Sequence, residues 1–187
     1  MVQDKLEVGD TLPWFLFTDT EVAGTNLATV AGTETVALPS DFLRESEDHE
    51  HVLFSQDMSA TDPWVPVKRD DYTFIKARWT GSGRPKHYDI LGTNLYLRQI
   101  PDAAYVLRML YMKRDADIVA GSTENLWMQY AGDLILAETG FIIATQYVIM
   151  PDVAQAFASQ RSEARSRLQI EMTARVEAGR MRSMGED

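Results

Sequence analysis

The 187-residue chain changes character near Gly121, and this change constrains its fold more than any other feature. Before Gly121, short apolar runs are separated by Gly, Pro, Asn and Asp, a pattern typical of strands joined by turns. After Gly121, apolar residues follow helical spacing almost to the end, and all seven prolines lie at or before Pro151. The sequence therefore predicts an α+β fold in a single domain over 1–187. A β-rich portion covers 20–112, two long helices cover 122–180, and 181–187 form a flexible tail.

The β-rich portion contains a hairpin signal and a meander signal. Two β-prone runs within 25–38 flank Ala31-Gly32-Thr33, which predicts a hairpin. Strands over 88–91, 95–98 and 104–112 are separated by turn residues and predict a meander. Both faces of the third strand are apolar, so we expect it to be central. A strand over 64–67 contains Pro66, which predicts an edge position.

The first long helix has two apolar faces. Ser122 or Thr123 can cap it. One stripe contains Trp127, Tyr130, Leu134, Ala137, Phe141, Ala144 and Val148, and we expect it to be core. A second stripe recurs every seven residues at Met128, Ile135, Ile142 and Ile149. It favours either the centre of a bundle or a subunit interface. Gly132 and Gly140 are costly in a helix and predict close helix contacts.

Charge is distributed unevenly along the chain. The net charge is −10, with 28 acidic and 18 basic residues, which argues against a protein that grips duplex DNA by its phosphates. Residues 1–156 carry −11, whereas residues 157–184 carry +3. The basic residues of this last segment are all arginines, a residue type suited to binding carboxylates. They form either a patch for an acidic partner or the solvated face of an amphipathic helix.

We find no catalytic, cofactor-binding or metal-binding motif in the sequence. The chain has no cysteine, which excludes disulfides and thiol catalysis. His49 and His51 would share a face of a strand, but spacing supplies no third metal ligand. The segment 81–85 is glycine-rich without the ending of a phosphate loop, so a flexible loop is the better interpretation. Acidic and polar residues interrupt the most apolar stretch, 134–150, so we predict a buried helix there rather than a membrane span. The first residues lack the apolar core of a signal peptide.

The order of several short motifs resembles the head-to-tail adaptor proteins of tailed bacteriophages, the group related to podovirus tail accessory factors. The resemblance covers about Trp14 to Arg182. Its parts are Trp14-Phe15-Leu16-Phe17, then 38–42, 84–90, 92–98, 100–102, 105–111 and finally Glu124-Asn125-Leu126-Trp127. Relatives usually carry a longer N-terminal helical segment, so the first helix of the bundle is expected to be short or absent here.

This resemblance implies a helical bundle with a β-rich insertion and a structural, non-enzymatic role in the virion. Such adaptors form a dodecameric ring under the portal, extend the DNA channel and dock the next tail component. The implied partners are the portal protein, a downstream tail, nozzle or stopper protein, and further copies of the chain. DNA would pass through without specific binding. The protein would be made in the host cytoplasm and then reside at the head–tail junction, with no cofactor and no membrane contact.

The resemblance also gives the unassigned surface features a role. The expected portal contacts are Arg161, Arg165, Arg167, Arg175, Arg180 and Arg182. The expected subunit interface is Met128, Ile135, Ile142 and Ile149. Two alternatives remain open: a tail-associated muralytic hydrolase using an Asp/Glu pair, and a stopper or nozzle protein further down the tail.

Overall fold

A computed structural model describes residues 6, 13–21, 24, 26–46, 52–58, 62–117 and 125–183, with side chains as far as Arg175. The chain divides into two compact units. The β unit is Phe17–Lys113, and the helical unit combines Met1–Leu16 with Arg114–Asp187. In sequence the β unit is thus inserted into the helical unit. This organisation and the long C-terminal helices confirm the α+β class.

The described part of the β unit forms one nine-stranded sheet and one short helix. The strands are β1 (Phe17–Asp19), β2 (Leu27–Ala28), β3 (Thr35–Ala37), β4 (Phe42–Glu45), β5 (Leu53–Asp57), β6 (Val65–Arg69), β7 (His87–Leu91), β8 (Asn94–Arg98) and β9 (Tyr105–Lys113). Helix α1 (Tyr72–Arg78) lies between β6 and β7 along the chain. The strand order is β1-β9-β5-β6-β7-β8-β3, and β2 and β4 also pair with β9.

Strand β9 is the centre of this unit, as its two apolar faces predict. It pairs antiparallel with β2 and β5 in its first half and with β1 and β4 in its second half. Leu107, Met109 and Tyr111 alternate on its buried face and are fully buried. Nine residues of one strand therefore organise most of the core of the β unit.

The prediction of a hairpin over 25–38 is wrong, because its two strands pair with different strands of the sheet and not with each other. Strand β2 pairs with β9, whereas β3 pairs with β8. The turn between them does form, with Gly32 at a φ of 77°, a conformation that favours glycine. The Gly32 N–H donates to the carbonyl of Pro101 at 2.8 Å, which ties this turn to the loop before β9. The predicted meander is correct only for its first two strands. Strands β7 and β8 form a hairpin, whereas β9 pairs with β5 and not with β8.

Strand β6 is not at the edge of the sheet, contrary to the inference from Pro66. It pairs antiparallel with β5 and parallel with β7. The parallel pairing begins only at Lys68, so Pro66 has a strand neighbour on one side alone. A residue without an N–H is tolerated there because no ladder hydrogen bond is required on the other side.

The helical unit contains a 3₁₀ turn (Trp14–Leu16) and two long helices, α2 (Leu126–Ile142) and α3 (Pro151–Ser183). A π-helical turn (Ile143–Tyr147) extends α2. The cap of α2 is Asn125, whose Oδ1 accepts from the N–H of Met128 at 2.9 Å. Ser122 and Thr123 lie outside the described residues. Helix α3 runs to Ser183, three residues into the predicted tail 181–187, and residues 184–187 lie outside the description.

Helices α2 and α3 form an antiparallel hairpin with a sharp corner. Ile149 has a φ of 52°, an uncommon conformation for a β-branched residue, and Pro151 starts α3. A Cβ added at Gly140 would lie 2.5 Å from the Phe157 ring, which confirms the predicted close contact. The same inference for Gly132 is wrong, since a Cβ there would meet no described atom within 4 Å. Within the described residues, no helix has the length and apolar character needed to cross a membrane.

Candidate functional site

An aromatic cluster joins the 3₁₀ turn to helix α2. The Phe15 ring contacts Trp127 edge-on, with centroids 5.2 Å apart, and stacks on Tyr130 at 5.5 Å. The Trp14 ring meets Tyr130 at 4.9 Å. Trp127 is almost completely buried, so the prediction that its stripe is core holds at this position. The cluster attaches the start of the chain to the helical hairpin.

The hairpin encloses one carboxylate, that of Glu138. This side chain is only 1% exposed, and the guanidinium groups of Arg161 and Arg165 lie 3.5 and 3.7 Å from its Oε2. The Arg161 guanidinium also lies 4.3 Å from the centre of the Phe141 ring. A buried carboxylate requires such partners, because desolvation of an unpaired charge is costly. In the sequence, Glu138 is one of the acidic residues that interrupt the apolar stretch 134–150. Its position four residues after Leu134 of the predicted core stripe, together with the arginines of the last helix, was the available signal.

The next two described arginines of α3 make more superficial contacts. Arg167 lies 3.7 Å from both Asp133 and Glu163, and all three side chains are exposed. Arg175 donates to Glu171 at 2.8 Å, and its guanidinium carbon lies 3.5 Å from the centre of the Trp14 ring.

The four predicted portal-binding arginines whose side chains the structure describes differ in their partners and exposure. Arg161 faces Glu138 and is mostly covered, whereas Arg165, Arg167 and Arg175 expose about half or more of their side chains. Arg180 and Arg182 lie on helix α3, and their side chains are outside the description. Exposed ion pairs typically contribute below about 1 kcal/mol, so the exposed arginines can exchange partners at little cost.

The predicted interface stripe is partly exposed. Met128 and Ile149 are exposed, and Ile135 and Ile142 are half-buried. The structure adds three exposed apolar side chains that sequence analysis missed, namely Leu136, Ile143 and Tyr147. They follow i, i+7 and i+11 spacing and so share one face. We call Met128, Ile135, Leu136, Ile142, Ile143, Tyr147 and Ile149 the apolar face of the hairpin.

A groove lies between α2 and α3 where α2 is kinked. Ala131 leaves helical geometry, with φ −137° and ψ 29°. Beside it is a cavity of about 340 Å³ lined by residues that include Met128, Leu134 and Leu168. Arg167 and Glu171 also line it, so the groove has apolar walls and charged groups of both signs.

The β unit contains polar networks that have a structural role. The His87 Nδ1 lies 2.7 Å from the Asp70 carboxylate. Partial burial favours a higher pKa for Asp70, but the hydrogen bond with His87 and the nearby Lys68 ammonium outweigh it, so the pKa of Asp70 is lowered. The Tyr88 hydroxyl donates to the Glu45 carboxylate at 2.5 Å. The pKa of Tyr88 is raised mainly by burial and also by this hydrogen bond. These groups bind one another rather than a ligand.

The described residues offer no metal site. None of them forms a group of three or more metal-ligating side chains. His49 and His51 lie outside the description. Among the described residues, the exposed arginines of α3 and the apolar face of the hairpin are surfaces suited to contacts with other proteins.

A comparison with known protein families identifies the family of the chain. A family profile described as SU10 adaptor protein matches residues 12–184. No curated protein matches the chain. The match covers nearly the whole chain and confirms the resemblance to phage head-to-tail adaptors. The chain belongs to the SU10 adaptor protein family.

Proposed function

We propose that this phage adaptor protein forms a ring under the portal, extends the DNA channel and docks the next tail component. The observation that carries the proposal is the helical hairpin, which exposes an apolar face and a set of arginines on one compact unit. A ring subunit needs contacts to its neighbours and to a second protein, and these surfaces supply both kinds.

The apolar face would contact neighbouring subunits. Leu136 is 68% exposed and Ile149 is 76% exposed, unusual values for large aliphatic side chains within one patch. Burial of such side chains stabilises an assembly by about 25 cal/mol per Å² of apolar area removed from water. We expect twelve copies in the ring, as the family resemblance implies.

The portal contact would use the exposed arginines, with Arg167 as the main candidate. Its partners Asp133 and Glu163 are themselves exposed, so an acidic portal surface can replace them. Arg161 has a different role in this proposal, because its contact with buried Glu138 holds the hairpin together. Arg180 and Arg182 remain candidate portal contacts.

The overall charge suits a DNA channel. With a net charge of −10, the body of the protein repels phosphates and lets DNA slide without specific binding. We propose that the chain acts without catalysis and resides in the virion. A zymogram on cell-wall material tests the alternative of a muralytic hydrolase, and a cleared band would support it.

The copy number of the chain in purified particles tests the ring. Quantitative mass spectrometry should give a one-to-one ratio of this chain to the portal protein. A ratio far from any ring symmetry, or absence from particles, would remove the proposal.

Charge reversal tests the portal contact. Arg167→Glu should weaken binding to purified portal by about tenfold, since it replaces attraction with repulsion at a desolvated contact. Asp133→Arg is the matched control, because it alters the same ion pair while adding positive charge. Equal binding of Arg167→Glu and the unaltered protein at low and moderate salt would contradict the assignment.

A further inference from the structure

A short basic segment interrupts the acidic β unit. Residues 68–87 contain six basic and two acidic residues, a net charge of +4, whereas the rest of the chain carries −14. The segment covers the end of β6, helix α1 and the first residue of β7. A local reversal of sign on a chain this acidic indicates attraction to an anionic partner at one place.

Half of these basic side chains have no acidic partner in the part of the chain that the structure describes. Lys76, Arg78 and Lys86 have no carboxylate oxygen within 4 Å. By contrast, Lys68 pairs with Asp70, Arg69 with Glu45 and Asp89, and Arg84 with Asp62. The hydrogen bond to Tyr72 raises the pKa of Lys76, so its ammonium stays charged near neutral pH. Three cations are therefore available to an external anion.

Aromatic rings lie beneath two of these cations. The Arg78 guanidinium lies 5.5 Å from the centre of the Phe74 ring and 5.8 Å from that of Trp79. Lys76 lies 5.1 Å from the centre of the Tyr72 ring. Phe74 is 49% exposed. A cation beside an exposed ring is the combination that binds a phosphate together with an unstacked base.

Core packing does not account for helix α1. Among its seven residues only Ile75 is buried. Asp71 nonetheless caps the helix and accepts from the N–H groups of Thr73 and Phe74. The helix therefore presents its basic and aromatic side chains on a fixed backbone rather than burying them.

We propose that helix α1 and the residue before β7 bind nucleic acid without sequence specificity, through Tyr72 and Lys76 on one side of the helix, Phe74 and Arg78 on the other side, and Lys86. The cations bind the phosphate backbone, and Phe74 stacks on an unpaired base. An acidic protein would satisfy the cations but would leave the exposed ring without a partner, so nucleic acid is the better match. The inference concerns the single chain and does not depend on the proposed ring.

Fluorescence anisotropy with a labelled 20-nucleotide single strand tests the proposal on the full chain. Three phosphate contacts predict an affinity loss of about 20-fold between 50 and 200 mM salt. The triple variant Lys76→Gln, Arg78→Gln, Lys86→Gln should bind at least about tenfold more weakly at 50 mM salt and lose most of this salt dependence. The control removes positive charge elsewhere in the chain, with Lys113→Gln and Arg114→Gln, and should bind within about twofold of the unaltered chain.

Two further measurements separate the contributions and the partners. Phe74→Ala should weaken binding of the single strand more than binding of a 20-base-pair duplex, whose bases are already stacked. Polyglutamate should compete poorly with the single strand. Equal affinity of the triple variant and its control, or competition by polyglutamate as strong as by unlabelled DNA, would overturn the proposal. Thermal unfolding of each variant verifies that the fold is intact.

Discussion

Glu138 shows how one residue fixes the pairing of two helices. Its carboxylate is buried inside the hairpin, and two of the cations beside it, Arg161 and Arg165, come from the opposite helix. Any shift of α3 along α2 would move these two cations away and weaken the compensation of the buried charge. The free-energy cost of a buried unpaired charge therefore disfavours other registers of the hairpin.

Removal of one of the interacting groups tests this role. Glu138→Ala should lower the free energy of unfolding by about 2 to 4 kcal/mol, because it removes a carboxylate partner of the mostly covered Arg161 and opens a cavity. Asp133→Ala, which removes an exposed partner of Arg167, should change it by less than about 1 kcal/mol. Urea unfolding followed by circular dichroism measures both. Equal effects of the two variants would contradict a special role for Glu138.

The two glycines of α2 show that the space around one helix differs from turn to turn. Gly140 allows the Phe157 ring to approach the helix backbone, whereas Gly132 lies beside the groove at the kink. Their sequence signals are the same, since both interrupt a helix. Only the position of α3 distinguishes them.

Alanine substitutions at these glycines should have opposite effects. Gly140→Ala should destabilise the protein by about 1 to 3 kcal/mol through overpacking against Phe157. Gly132→Ala should stabilise it by up to about 1 kcal/mol, because alanine is the better helix former and space is available. Thermal melts compare the two variants, and Phe157→Leu should rescue part of the loss in Gly140→Ala. Destabilisation by both glycine substitutions would contradict this view of the groove.

The pairing of β6 with β7 places Asp70 beside His87. This contact makes the stability of this part of the sheet depend on pH. The pKa of Asp70 lies below its ordinary value of 3.8 in the folded chain. The unfolded chain therefore binds this proton more readily, and the stabilisation is present above about pH 4 and lost as pH falls through the folded pKa.

Replacement of Asp70 should reduce the sensitivity of the protein to acid. Between about pH 5 and pH 3, the free energy of unfolding of Asp70→Asn should fall less steeply than that of the unaltered protein. Asp117→Asn, at an exposed carboxylate, is the control and should keep the original slope. Urea titrations at a series of pH values provide the measurement. An unchanged slope in Asp70→Asn would show that other carboxylates dominate the acid response.

For the whole molecule, an exposed apolar face coexists with a high net negative charge. Repulsion between copies opposes association, whereas burial of Leu136, Ile143 and their neighbours favours it. The balance should depend on ionic strength, since salt screens the repulsion and leaves apolar burial largely intact. Assembly should therefore be favoured at moderate salt or on a template that aligns the subunits.

Charges placed on the apolar face test this balance. The double variant Leu136→Glu, Ile143→Glu should keep the melting temperature of the monomer within a few degrees, because both side chains are already exposed. It should lose assembly with portal, measured by sedimentation velocity in 150 mM salt. Val30→Glu together with Met58→Glu, two exposed apolar sites of the β unit, is the matched control. Loss of assembly in the control but not in the test variant would contradict this assignment and indicate that the interface lies on the β unit.

The sequence by itself determined the features that depend on local pattern. The α+β class, the two long C-terminal helices, the central place of β9 and the buried Trp127 all follow from the period of apolar residues and from turn chemistry. These signals report how a segment folds and which side is buried. These signals depend on residues that are close together in the chain, so the amino-acid sequence is enough to recognise them.

The tertiary structure alone decided which segments meet. The strands on either side of Gly32 look like a hairpin, yet each pairs with a strand much further along the chain. Glu138 looks like a break in an apolar helix until α3 supplies its arginines. The cations of α1 look ordinary until the structure shows that no carboxylate of the described residues lies within ion-pair distance of them. In each case the free energy comes from partners far apart in the chain, and a local pattern does not encode their choice.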